Sequence, residues 1–166
     1  MYDKKELRQE ENSSNYLREV KARLIKHCLQ IAKEKVKALE SELGSTREAA
    51  GSEDKSTAGD KHETGRAMMH LEQEKLYAQL AEAETLVAEL QRIDPKSSSV
   101  TIQLGTLVFT DKANFLITAG LGRVRFENGD YFVVSAQSPV AQAMIGKKCG
   151  EEFVVNGTRY QIKSIE

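Results

Sequence analysis

The sequence lacks tryptophan, contains only two prolines and is poor in aromatic residues. Aromatic residues make up 6% of the 166 residues, which argues against a single large hydrophobic core. No apolar run approaches the roughly 20 residues that a helix needs to cross a bilayer, so we expect no membrane partner. The first fifteen residues, MYDKKELRQEENSSN, lack the apolar stretch of a secretory signal, and we expect no export.

Cysteine and histidine are also scarce. Cys28 and Cys149 stand far apart and outside any CxxC motif, and His27, His62 and His70 have no zinc-binding spacing. We therefore expect two reduced thiols in a cytoplasmic protein. A thiol enzyme with Cys149 as its nucleophile is a distant alternative, because all three histidines fall in the other half of the chain and no nucleophile elbow is present.

The composition changes at residues 94–99, which read Asp-Pro-Lys-Ser-Ser-Ser. Charged residues and alanine dominate before this stretch, whereas β-branched residues, aromatics and glycine dominate after it. Proline disfavours helix in the preceding residue and serines favour turns, so the stretch predicts a linker. We predict two domains, a helical domain over residues 1–95 and a β-rich domain over residues 97–166, and an α+β fold class.

The first half predicts two long helices. Apolar residues recur at steps of three and four between Leu17 and Leu43, which predicts a helix over residues 15–43 that ends at Gly44. A heptad pattern from Met69 to Leu90 predicts a second helix over residues 61–93. An antiparallel hairpin, or coiled coil, would cover both apolar stripes. The periodicity also allows an ordinary coiled-coil spacer or dimer.

Between Arg18 and Lys37 the first helix carries seven basic residues against two acidic ones, at positions 19 and 34. The basic residues are Arg18, Lys21, Arg23, Lys26, Lys33, Lys35 and Lys37. They could form a solvated face whose charge is compensated by glutamates of the second helix. The formal net charge of −1 gives no reason to expect bulk attraction to nucleic acid.

The second half predicts a small, mostly antiparallel sheet with one short helix. Predicted strands cover residues 100–104, 107–110, 114–119, 124–126, 131–135, 152–155 and 159–165. Asn128-Gly129 and Asn156-Gly157 predict hairpin turns, because a type I′ turn needs two residues with positive φ. Residues 138–145 predict a helix with Ser138 as its cap, Pro139 in its first turn and Gly146 at its end.

Residues 138–152, SPVAQAMIGKKCGEE, closely resemble the C-terminal signature of the Gre family of bacterial transcript-cleavage factors. In that family a helix starting with Ser-Pro ends in a Gly-Lys-Lys-x-Gly-Asp/Glu turn that leads into a strand. The order of hairpin and small domain also matches, over roughly residues 15–166. The resemblance implies an FKBP-like C-terminal domain and RNA polymerase as the partner. It assigns partner binding to Ser138, Pro139, Gly146, Lys147 and Lys148.

The resemblance extends to the connection between the helices, where a functional tip is expected at about residues 51–64. Gre factors carry Gly-Asp-x-x-Glu at the start of the second helix, and Gly59-Asp60-Lys61-His62-Glu63 has that spacing. Asp60 and Glu63 would then be the catalytic and metal-binding residues, acting on a Mg²⁺ ion shared with the polymerase active site. The implied function is stimulated cleavage of the nascent RNA 3′ end in the polymerase's secondary channel, by a monomer that is not itself an enzyme.

Other hypotheses stay open at the tip. Asp60 and Glu63 also have capping-box spacing, so both carboxylates could only satisfy amides of the first helical turn. Residues 64–67, Thr-Gly-Arg-Ala, differ from the family's Asn-Ala-Glu-Tyr. A channel regulator that inhibits transcription without stimulating cleavage is therefore the first alternative, and a coiled-coil adaptor unrelated to polymerase is the second.

Overall fold

The chain has an α+β fold, with two long helices followed by a six-stranded sheet and one short helix. This computed structural model describes the backbone of residues 4–53 and 61–166, and the side chains of residues 13–48 and 64–166. Within that part of the chain, no helix is long and apolar enough to cross a membrane. Two compact units are found, Met1–Leu29 with Glu89–Glu166, and Gln30–Ala88. The predicted division into 1–95 and 97–166 stays a prediction.

The helices are α1, Lys4–Glu53, and α2, Lys61–Gln91. The second agrees with its prediction within two residues. Both predicted bounds of the first are wrong, because α1 begins at Lys4 instead of residue 15 and continues past Gly44. An internal glycine costs a helix only about 0.5–1 kcal/mol. The buried side chains of Leu39 and Leu43, which precede Gly44, pack in a core with residues of α2. This packing outweighs the weak local preference of one glycine, so the helix continues.

Unit Gln30–Ala88 is an antiparallel helical hairpin held by the predicted apolar stripes. Its buried core consists of Leu39 and Leu43 from α1 with Leu76 and Ala83 from α2. Half-buried Val36 and Leu80 pack against this core. Beside it, the Arg47 guanidinium lies 5.6 Å from the centre of the Tyr77 ring and also donates a hydrogen bond to the Tyr77 hydroxyl. The heptad prediction for the second helix is therefore confirmed in this unit.

The sheet belongs to the other unit and has the strand order β3-β4-β2-β1-β6-β5. The pairs are antiparallel except for β2 with β4, which is parallel. The strands are β1 Leu107–Thr110, β2 Asn114–Thr118, β3 Gly122–Phe126, β4 Gly129–Ser135, β5 Glu152–Val155 and β6 Thr158–Ile165. Helix α3, Pro139–Met144, occupies the connection between β4 and β5.

The strand predicted over residues 100–104 is not formed. Only Ile102 in this stretch makes paired backbone hydrogen bonds, with Gly146 and Lys147. A turn follows at once, because the Thr106 amide donates to the Gln103 carbonyl at 3.1 Å and Gly105 has a φ of +88°. The buried side chain of Ile102 nevertheless joins the core of the sheet unit, so its apolar character reflects packing without a strand.

The two predicted hairpin turns have different outcomes. Asn156 and Gly157, with φ of +49° and +76°, connect β5 and β6 as the prediction requires. The turn before β4 lies one residue earlier than predicted, because Phe126 pairs with Gly129 and positive φ falls on Glu127. Glycine at position 129 has a steric cause, since a Cβ there would lie 3.2 Å from the Tyr131 ring.

The part of α1 that belongs to the sheet unit contains a buried lysine. Lys21 is 1% exposed, and its ammonium donates to the Ser97 carbonyl oxygen at 2.5 Å. Burial lowers the pKa of Lys21 below the ordinary 10.5, while the charges of Glu166 and Asp94 act in the opposite direction. The Arg18 side chain bonds the Glu166 carboxylate at 3.1 Å. The expectation of a solvated basic face is therefore wrong for Lys21.

Because Lys21 is buried, the free energy of unfolding should rise with pH in the alkaline range. The pKa of Lys21 is lower in the folded chain than in the unfolded chain, where it is near 10.5. Between these two values the unfolded state binds more protons, so rising pH favours folding at this group. We expect the unfolding free energy of wild type, relative to Lys21→Met, to increase from pH 8 to pH 10 in urea titrations. The exposed Lys26→Met variant is the control, and an equal response from both variants would contradict the assignment.

Candidate partner-binding site

The predicted tip residues lie outside the described side chains. Asp60 is not among the described residues, and Glu63 is described only as backbone in the first turn of α2. The assignments of Asp60 and Glu63 as catalytic and metal-binding residues therefore remain predictions, and so does the capping alternative. The other predicted site, residues 138–152, is described completely.

Helix α3 begins as its sequence predicts. Ser138 has an extended backbone, with φ −65° and ψ 147°, and its hydroxyl accepts a hydrogen bond from the Ala141 amide at 3.3 Å. Pro139 occupies the first turn, where its missing amide proton costs nothing. The helix buries Ala141 and Met144 in the core of the sheet unit. Ser138 and Pro139 therefore determine where this helix starts and which of its residues enter the core.

Gly146 ends the helix in a conformation that favours glycine, with a φ of +85°. Its amide donates to the Ile102 carbonyl at 2.8 Å, and the Ile102 amide donates to the Lys147 carbonyl at 2.8 Å. These two bonds attach the end of α3 to the segment that precedes β1. The positive φ of Gly146 thus turns the chain away from the helix axis, so that Gly146 and Lys147 can bond to Ile102.

The turn after Lys147 is fixed by its own side chains and by β6. The Glu151 carboxylate accepts from the Lys148 amide at 2.6 Å. Gly150, with φ +88°, donates to the Ile162 carbonyl, and the Ile162 amide donates to the Glu151 carbonyl, both at 2.9 Å. This arrangement delivers the chain into β5 at the predicted position. The signature is therefore realised as a capped helix, a two-glycine turn and a strand.

The five predicted partner-binding residues differ in what they present. Ser138 and Gly146 shape the backbone, and Lys147 is half-buried. Pro139 and Lys148 are exposed, so Lys148 offers the only freely exposed charge among the five. Ile145, at 39% exposure, adds an apolar side chain that the sequence analysis did not single out. The surface next to the turn is thus a mixed apolar and basic patch.

Neither cysteine has the surroundings of a catalytic nucleophile. Among the described residues, the only hydrogen-bond partner of the exposed Cys149 thiol is the Lys163 carbonyl oxygen, at 3.0 Å. Cys28 is fully buried in α1, and burial raises the pKa of its thiol to about 11. A raised pKa disfavours the reactive thiolate. These observations weigh against the thiol-enzyme alternative.

Two more members of the predicted basic row have acidic partners within the sheet unit. Arg18 bonds Glu166 at 3.1 Å, and Arg23 bonds Glu127 at 3.1 Å. Both partners lie more than 100 positions away in sequence, so helical periodicity could not reveal them. With Lys21 buried, three of the seven basic residues have partners inside the unit.

Comparisons with known proteins give limited results. No family model matches the chain, and no curated protein matches it. Among solved structures, the GreA factor homolog 1 (Gfh1) of Thermus thermophilus is similar at 14% identity and a TM-score of 0.35, covering 83% of this chain and 94% of that one. Another structure of the transcription factor Gfh1 shows 15% identity, a TM-score of 0.34 and coverages of 83% and 92%.

Gfh1 of Thermus aquaticus is similar at 14% identity and a TM-score of 0.31, covering 84% of this chain and 94% of that one. At such identities and TM-scores, these likenesses establish neither a family nor a function for the chain.

The conformation of the turn after α3 can be tested by comparing Gly146, which has a positive φ, with Gly44, which is helical. At Gly146 and at Gly44 a Cβ would meet no atom within 4 Å, so the two positions differ in backbone conformation alone. We expect Gly146→Ala to lower the unfolding free energy by about 1–2 kcal/mol, because L-residues are strained at positive φ. The matched control Gly44→Ala lies within helix α1 and should raise it by about 0.5–1 kcal/mol. Urea unfolding measures both, and a neutral Gly146→Ala would contradict the described turn.

Proposed function

We propose that this protein binds RNA polymerase in its secondary channel and stimulates cleavage of backtracked nascent RNA, as a transcription elongation factor of the Gre type. The observation that carries the proposal is the segment 138–152. Its sequence resembles the Gre signature, and its fold has the capped helix, the Gly146 turn and the following strand that this signature describes. The antiparallel hairpin of α1 and α2 supports the same proposal, because the resemblance requires one.

The chemistry would reside in the connection between the two helices. Hydrolysis of a phosphodiester by two metal ions needs a second Mg²⁺ and a positioned water in addition to the ion held by the polymerase's own carboxylates. Mg²⁺ prefers hard oxygen ligands and retains several waters. Asp60 and Glu63 would complete the coordination of that shared ion and orient the attacking water. The protein would act through positioning and supply no nucleophile of its own.

Docking on the polymerase is assigned to the sheet unit. Lys148 and Ile145 are exposed on either side of Gly146 and Lys147, whose backbone groups bond to Ile102. An exposed cation next to an exposed apolar side chain suits a protein surface with an acidic rim. Ser138, Pro139, Gly146 and Lys147 would contribute mainly by shaping this patch.

A second candidate is a channel regulator that occupies the same site without stimulating cleavage. It is favoured by residues 64–67, which differ from the family's usual sequence directly after Glu63. The adaptor hypothesis has less support. A homodimer through the Met69–Leu90 seam would need this seam to be free, but Leu76 and Ala83 pack against α1 of the same chain.

The tip assignment is tested with variants that keep shape and remove charge. We expect Asp60→Asn and Glu63→Gln each to reduce stimulated cleavage by at least about tenfold, a loss typical even for residues that only orient a metal ligand. The melting temperature should change little for Asp60→Asn, because asparagine caps a helix as well as aspartate does. The readout is RNA cleavage in a backtracked elongation complex with added Mg²⁺. A wild-type protein that binds polymerase and never stimulates cleavage would establish the regulator instead.

The docking assignment is tested by charge reversal in the full chain. We expect Lys148→Glu to weaken binding to RNA polymerase about fivefold or more, because an exposed cation at the contact becomes an anion. Lys96→Glu makes the same charge change at another exposed position and serves as the control. Binding is measured by fluorescence anisotropy at two salt concentrations. Equal affinities for the two variants would remove Lys148 from the interface.

A further inference from the structure

A half-enclosed pocket of about 200 Å³ lies within the sheet unit, and none of residues 138–152 lines it. Its apolar wall is formed by Ile93, which follows α2, Leu104, which precedes β1, and Ala136, which follows β4. Thr118, the last residue of β2, completes the wall, and Glu89, Arg92 and Gln137 are exposed at its edge. Leu104 is 55% exposed, which leaves a large apolar side chain in contact with solvent at the opening.

Thr118 is the unusual residue of this wall. It is 4% exposed, and its hydroxyl oxygen is the only buried side-chain polar atom without a hydrogen-bond partner in the described part of the chain. By contrast, the buried Thr106 hydroxyl accepts from the Gln103 amide at 3.1 Å. A buried hydroxyl without a partner costs free energy that the isosteric valine would avoid. A threonine at this position therefore points to a ligand.

We propose that this pocket binds a segment of a partner protein, with one leucine-sized side chain inserted and the peptide carbonyl next to it bonded to Thr118. Size selects this ligand, because about 200 Å³ is below the range of about 300–1,000 Å³ typical of small-molecule sites. Small pockets that each receive one side chain dominate the energetics of protein interfaces. The site shares no residue with the proposed polymerase docking patch and does not depend on it.

The polar groups around the pocket favour a carbonyl-bearing ligand. Rotation of the Thr118 side chain between staggered positions would turn its hydroxyl toward the ligand as a donor. The Gln137 side-chain oxygen accepts from the Ser135 hydroxyl at 3.0 Å, so its amide nitrogen remains a donor. Arg92 forms no ion pair within the described part of the chain and adds a third donor group. The Glu89 carboxylate at the edge adds an acceptor. Three donors and one acceptor around an apolar wall match the carbonyl and the N–H of a peptide backbone beside an apolar side chain.

The probe is N-acetyl-L-leucine methylamide, titrated into the full-length protein and followed by amide shifts in ¹⁵N NMR spectra. We expect shifts at Leu104, Thr118 and Ala136, with saturation in the millimolar range. N-acetyl-L-alanine methylamide should bind at least tenfold more weakly, because it lacks three carbons of apolar contact. Equal responses to the two probes, or shifts centred elsewhere, would overturn the proposal.

Two variants separate binding from folding. Thr118→Val should weaken binding of the leucine probe about fivefold through the lost hydrogen bond, and should melt at the same or a higher temperature than wild type. The matched Thr106→Val should melt lower and bind normally. A Thr118→Val variant that melts lower, or binds as wild type does, would refute the role of Thr118. A concentration-dependent dimer that Ala136→Leu abolishes would make a second copy the occupant and would overturn the proposal.

Discussion

The organisation of the sheet unit depends on one buried charge, the ammonium group of Lys21. Transfer of an ammonium group from water costs several kcal/mol unless the protein supplies acceptors and opposite charge. Ser97 supplies a carbonyl oxygen at 2.5 Å, and the charges of Glu166 and Asp94 favour the ammonium form. The part of α1 around Lys21, the segment after α2 and Glu166 at the end of β6 therefore meet at this lysine.

The residues of the signature 138–152 have two kinds of role. Ser138, Gly146 and Gly150 set backbone geometry, through a helix cap and two positive φ angles. Lys148 and Ile145 occupy exposed positions that this geometry creates. A resemblance carried mainly by geometry-setting residues predicts a local fold with more force than it predicts a binding partner. This is why the docking role rests on two exposed side chains and requires its own experiment.

The hairpin and the sheet unit differ in the size of their cores, and we assign them different roles in the proposed functions. Among the residues that the structure describes, the hairpin has a small core between its two helices, formed by Leu39, Leu43, Leu76 and Ala83. In the proposed function, the connection between these helices would present Asp60 and Glu63 to the metal ion of the polymerase. The sheet unit has a larger core, which includes Phe115, Met144 and Ile162. A larger core can support a rigid pocket and a surface patch, and both proposed protein contacts lie there.

Local patterns in the sequence determined both helices as elements, their apolar stripes, all six strands within two residues, and the cap and turn around α3. They also predicted a seventh strand over residues 100–104, which does not form. Periodicity and turn chemistry act over a few residues, so such features are readable from short windows. Tertiary contacts decided the rest. Gly44 stays helical because Leu39 and Leu43 pack in a core with α2. Lys21 is buried because Ser97 and Glu166 surround it from distant parts of the chain, and the orphaned hydroxyl of Thr118 exists only once β2, β4 and the end of α2 have come together. A partner more than 70 positions away leaves no mark on local periodicity, so only the folded chain can reveal it.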